Sequence, residues 1–109
     1  MVNRKQSKHD SLVDIVKNEL VDRDFNQVFM NREYNRNGIC GEIDVYGRKG
    51  DYLFVFECKC SKTPKSYKRA VNQLERADKF FFKFPEKSFY FLAYFNKGRV
   101  VYEKVKLKS

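Results

Sequence analysis

Residues Tyr52 to Cys60 read Tyr-Leu-Phe-Val-Phe-Glu-Cys-Lys-Cys and constrain the fold more than any other stretch of the chain. Leu53-Phe54-Val55-Phe56 is apolar at odd and even positions alike, the pattern of a strand covered on both faces at the centre of a sheet. That run leads straight into Glu57 and Lys59. The side-chain period of a strand is two, so these charges share one face, and charge in so apolar a strand is costly unless it is partnered. Asp44 lies on the preceding segment, Ile39 to Tyr46, across a short turn. If Lys49-Gly50 closes the hairpin as a two-residue turn, Asp44 stands opposite Val55 and diagonal to Glu57, about 7–8 Å away. One divalent cation bridges that gap. A loop of odd length would send the two carboxylates to opposite faces. The plainer alternative makes Glu57 and Lys59 surface residues of an edge strand and Asp44 the approach to a turn.

The remaining segments surround this hairpin. Asp10 to about Asp22 has a helical stripe of Leu12, Ile15, Val16 and Leu20, with Glu19 falling inside it. A core-facing glutamate needs a partner or a cation. A small rotation of the helix would instead put it at the edge, in water. Asn26 to Asn35 alternates Val28, Met30 and Tyr34 as a strand does, before the turn-like Asn35-Arg36-Asn37-Gly38. After the hairpin, Thr63 and Pro64 mark the cap and first position of a second helix reaching to about Phe82. Its buried stripe is Tyr67, Ala70, Val71, Leu74, Ala77 and Phe81, flanked by Lys65, Arg69, Gln73 and Arg76. Ser88 to Phe95 and Arg99 to Lys106 form two closing strands around Asn96-Lys97-Gly98. The expected class is α/β (α+β), a central mixed sheet flanked by helices, as one domain over residues 1–109.

Lys+Arg 23 against Asp+Glu 14 gives a net charge of +9, which favours a polyanionic partner over a merely solubilising surface. No apolar stretch approaches the roughly 20 residues that cross a bilayer, and residues 1–10 lack the apolar block of a signal peptide. The expected location is the cytoplasm, or the host cytoplasm if the chain is viral. Three cysteines do not make a disulfide framework. Cys58 and Cys60 read as buried thiols on the face opposite Glu57, with Cys40 on the other face. A zinc site would need more ligands than His9, the single histidine, supplies.

Asp44 and Glu57, with the backbone carbonyl of Cys58, make a hard oxygen site suited to Mg2+ or Mn2+. A cation there polarises a phosphate oxygen and activates water, and Lys59 beside it orients that nucleophile or stabilises charge on the transition state. Phosphodiester hydrolysis is the matching chemistry. Lys62, Lys65, Lys68 and Arg69 follow directly after Lys59, and Arg32 and Arg36 come from the first strand and its turn. They are candidates for phosphate contacts, which position a nucleic acid without reading its sequence. No base-reading element is apparent, so selectivity is expected for shape, such as a branched or distorted duplex.

Asp44, Glu57 and Lys59, in the order helix, three strands, helix, two strands, resemble the PD-(D/E)XK nuclease superfamily over nearly the whole chain. The resemblance implies a restriction-endonuclease-like αβββαβ core. A glutamate on the first helix ahead of the Asp…Glu-x-Lys set is similar to archaeal Holliday junction resolvases and related archaeal or viral nucleases. By that likeness Glu19, Asp44 and Glu57 bind metal, Lys59 serves catalysis, and Gln73 supports the site from the second helix. Ile43 stands where the superfamily's name places proline, and Glu42 either competes as a ligand or makes an outward ion pair. Resolving a four-way junction takes two symmetric cuts, which implies a homodimer. Phe80, Phe82, Phe84 and Phe89 are candidates for its interface or for the core. The rivals are a catalytically silent nucleic-acid-binding module of the same fold, a protein docking on an acidic partner, and a nuclease of this superfamily acting on other DNA or on RNA.

Overall fold

Ser7 starts the first helix at Lys8, two residues earlier than Asp10, because its hydroxyl accepts the Asp10 N–H at 3.0 Å and satisfies one of the free donors of the first turn. The computed structural model describes residues 7–36, 38–80 and 87–107, apart from the side chains of Arg36 and Ile39. The helix, α1, spans Lys8–Asp22. It is followed by β1 (Gln27–Arg36), β2 (Ile39–Lys49), β3 (Tyr52–Lys59), α2 (Pro64–Phe80), β4 (Ser88–Asn96) and β5 (Arg99–Val105). The strands form one mixed sheet in the order β1-β2-β3-β4-β5. Neighbours are antiparallel except β3 and β4, which run parallel because α2 carries the chain back across the sheet. β3 is therefore central, as its two-sided apolarity requires. No helix among the described residues is long and apolar enough to cross a membrane.

The helices cover opposite faces. Leu12, Val13, Val16 and Leu20 of α1 pack with Phe56 and Cys58, while Ala70, Leu74 and Ala77 of α2 pack with Leu53 and Val55, so successive β3 residues serve different layers. On the α1 side an aromatic ladder joins β3 to its parallel neighbour, with Phe54 stacked on Phe89 at 5.3 Å and Phe56 on Phe91 at 5.1 Å. Leu12, Leu53, Leu74 and Leu92 are fully buried, each contributing about 1.5–3 kcal/mol by burial. Each helix is also tied to the sheet by a tyrosine. Tyr102 donates to Glu19 Oε2 at 2.7 Å and Tyr90 to Asp78 Oδ1 at 2.6 Å.

Several expectations shift. The β2–β3 turn is Gly50-Asp51, not Lys49-Gly50, since the ladder still pairs Lys49 with Tyr52. Gly50 takes the left-handed conformation (φ 60°) that the first central position of a type II′ turn demands, and its N–H donates to Asn26 Oδ1 at 3.1 Å. Both turns have two residues, so parity survives, but the register slides by two. Asp44 comes level with Glu57 rather than Val55, one step beyond the last ladder pair, Val45 with Phe56. In β1, the alternation of Val28, Met30 and Tyr34 does not persist along one face. Val28 packs in the α1 layer and Tyr34 in the α2 layer. Asn31, at φ 54°, and Asp44 opposite it are skipped by the ladder, although the pairs on either side, Met30 with Val45 and Arg32 with Ile43, keep one register. Both strands turn over there with no residue gained or lost: Val45 lies in the α1 layer and Ile43 in the α2 layer.

Ile15 is 38% exposed and Val13 takes its place in the α1 stripe. Phe80 stacks against Tyr34 at 4.9 Å and Phe89 against Phe54, so both serve packing rather than an open interface. Phe81, Phe82 and Phe84 lie outside the described residues.

Candidate active site

The turnover at Asp44 places the central acid. With the β2–β3 ladder ending at Val45, the Cys58 N–H takes its acceptor from a side chain: Asp44 Oδ2 accepts it at 2.8 Å. Asp44 and Glu57 are the two buried charged residues of the described core, 6% and 3% exposed. Asp44 stands close enough to Glu57 for its charge to disfavour ionisation there. Lys59, half-buried two residues along the same strand face, adds an opposing charge. Asp44, Glu57 and Lys59 are thus brought together, with the carboxyl groups of residues 44 and 57 on the same side.

Two acids in a desolvated place cannot both ionise cheaply. Burial first, then the neighbouring Asp44 carboxyl, push the Glu57 carboxyl up to about 10, against a smaller opposing pull from Lys59. Glu57 Oε2 is buried with no hydrogen-bond partner, as is Gln73 Oε1 on the adjoining flank of α2. An orphaned, fully buried carboxyl oxygen beside a second carboxyl and the carbonyl of Cys58 is a donor set that suits a hard divalent cation. Among the described residues, no three His, Cys, Asp or Glu side chains are already gathered at metal-binding spacing.

Glu19 is not brought to this pair. It accepts the Tyr102 hydroxyl, about 15 Å along the helix axis from the end of α1 that does reach the site. The physical reason is the rotation of α1: with Val13 inside and Ile15 outside, position 19 moves to the edge of the buried stripe. His9 arrives in its stead. Its Nε2 lies 3.2 Å from the Cys58 carbonyl oxygen and 3.4 Å from Asp44 Oδ2. Sequence reasoning passed over His9, yet it stands three residues before Leu12, four before Val13 and seven before Val16, in line with the buried stripe.

The neighbouring candidate residues divide. Glu42 is exposed across from Glu33, apart from the buried acids. Lys62 is held by Glu103 at 2.7 Å and lies over the rings of Tyr67 and Tyr94, so it is already committed. Lys65, Lys68, Arg69 and Arg32 are exposed, and the side chain of Arg36 lies outside the described residues. Lys65 and Arg69, one turn apart, share the α2 flank that carries Gln73. Tyr34 reaches in from β1; its hydroxyl comes so close over Gly41 that a Cβ there would sit 2.7 Å from it. Burial raises that hydroxyl's pKa, with Glu57 adding in the same direction. Cys40, Cys58 and Cys60 are all free thiols, and burial pushes the Cys58 thiol up, as an inert core thiol requires. Compared with known proteins, the chain matches no family model and no curated protein.

Proposed function

We propose that this chain is a metal-dependent endodeoxyribonuclease of the PD-(D/E)XK kind, selective for branched or distorted DNA. The observation that carries the reading is the buried Asp44–Glu57 pair with Lys59 on the same face and one Glu57 oxygen unpartnered. Asp44, Glu57 and the Cys58 carbonyl would hold Mg2+ or Mn2+. When bound, the cation supplies Lewis acidity and a hydroxide-like water at neutral pH. Lys59 orients that nucleophile and offsets charge building on the phosphoryl oxygens. The N–H of Cys58, by holding Asp44, fixes the acid against the end of β3. Gln73, with a buried unpartnered amide oxygen, comes from α2, the helix that packs on the Val55 face of β3. Lys65, Lys68, Arg69 and Arg32 grip phosphates on either side of the scissile bond, and a homodimer would place two such sites for paired cuts.

The order helix, three-stranded meander, helix and parallel strand supports this reading, being the αβββαβ arrangement that the sequence resemblance implies. So does the charge of +9. A catalytically silent DNA-binding module is the second reading, favoured by the engagement of Glu19 with Tyr102.

Purified protein incubated with Mg2+ or Mn2+ and synthetic four-way junction, duplex and single-stranded DNA separates the two. The nuclease cuts, and Asp44→Asn, Glu57→Gln and Lys59→Ala each lower the rate by about 100-fold or more. Salt-sensitive binding without cleavage, unchanged by Lys59→Ala, would leave the binding module standing.

A further inference from the structure

We propose that Lys62 and the two tyrosine rings beneath it form a phosphate subsite that Glu103 keeps closed, its carboxylate standing where a backbone phosphate of DNA would bind. This rests on the DNA-binding part of the reading above and on none of its chemistry.

Lys62 Nζ donates to Glu103 Oε1 at 2.8 Å and stands 2.7 Å from Oε2. Oε2 is buried and meets no partner besides that ammonium among the described residues, so the carboxylate turns both oxygens on one cation. The cation does not depend on the acid for its place. It lies 5.3 Å from the centre of the Tyr67 ring and 5.9 Å from that of Tyr94, and both rings pack on the α2-layer core. Attraction to the ring faces holds an ammonium there when the carboxylate is gone. Strand register sets the pair beside the candidate active site. Lys59 is level with Tyr94, and Glu57, Leu92 and Glu103 follow one another across β3, β4 and β5, so the backbone of Glu103 is two strands, about 10 Å, from that of Glu57. Phosphates flanking a bond held at Glu57 pass within reach of a lysine at that distance. Both side chains are 37% exposed, and an ion pair so open to water contributes little net stability. Its larger consequence is for arriving anions: one cation is withheld from them, and Glu103 repels them.

Duplex binding by the full-length chain in the absence of divalent metal, followed by fluorescence anisotropy from 50 to 200 mM salt, tests this. Glu103→Gln opens the subsite: binding should tighten by about threefold or more at 50 mM salt, and the salt slope should steepen by about 0.9, the share of one phosphate. Glu103→Ser, which also shortens the side chain, should match it, and circular dichroism checks that each variant is folded. Lys62→Ala should change the slope little in the parent yet remove the whole gain in the Glu103→Gln background. Glu75→Gln takes the same charge from α2 and should leave the slope as in the parent. A slope in Glu103→Gln no steeper than in Glu75→Gln, or a gain that survives Lys62→Ala, makes the pair merely structural and overturns the subsite. So does a fall of about 0.9 for Lys62→Ala in the parent, the mark of a lysine that was never withheld. If the parent and Glu103→Gln both fail to bind duplex at 50 mM salt, the subsite and the DNA-binding reading fall together. The expected slopes without cleavage in Mg2+ would support the subsite and count against the nuclease alone.

Discussion

Glu57 can occupy its buried position as a neutral acid or as a carboxylate beside a cation, and pH separates these states. Below about pH 4.5 the group is protonated whether the chain is folded or not. Between there and about 10 the folded protein keeps a proton that the unfolded chain has released. The folded state then binds more protons, so the metal-free protein loses stability as pH rises through this window. Glu57→Gln removes the titration and keeps the shape. In chelator, its stability advantage over the parent should grow by about 1–3 kcal/mol between pH 5 and pH 8, read from urea unfolding at the two values. A gap that stays constant with pH would show an ordinary carboxyl at this position. Asp44, Glu57 and Lys59 were legible in the sequence because strand period and apolar context single out charges that do not belong on a core strand. His9 was not, since beginning the helix at Asp10 left it outside the stripe that the Ser7 cap brings it into.

At the level of elements, cap chemistry was readable where it is local. Thr63 Oγ1 accepts the Ser66 N–H at 3.0 Å and Ser66 Oγ accepts the Thr63 N–H at 2.8 Å, a reciprocal box that starts α2 shortly after β3. Thr63→Ala should cost about 1 kcal/mol in thermal or urea unfolding, and an unchanged midpoint would show that Pro64 alone suffices to start the helix. The β4–β5 turn was equally plain: Lys97 and Gly98 both take positive φ, as a type I′ hairpin demands. The β2–β3 turn was misplaced by one residue because Lys49-Gly50 and Gly50-Asp51 are locally equivalent, and the deciding contact, Asn26 Oδ1 on the Gly50 N–H, comes from 24 residues away. The turnover at Asn31 and Asp44 left no periodic trace either. It shows only in which layer each neighbour packs.

Across the whole molecule, the excess of positive charge was legible but its allocation was not. Lys62 looks free in sequence, yet Glu103, 41 residues on, holds it. If Lys65, Lys68 and Arg69 each neutralise one phosphate, the triple alanine variant should lower the salt slope of duplex binding by about 2.7, whereas Lys62→Ala should lower it by less than about 0.5. Fluorescence anisotropy from 50 to 200 mM salt measures both. An equal fall for Lys62→Ala would mean that DNA displaces Glu103. The β1–β2 ribbon, finally, seals the α1 layer with one half and the α2 layer with the other, like a lace passed through two sides of a shoe. Neither side can loosen alone, so backbone amides of α1 and α2 should exchange with deuterium in a single cooperative opening, and Asn31→Val, which resists left-handed backbone, should speed exchange in both helices together.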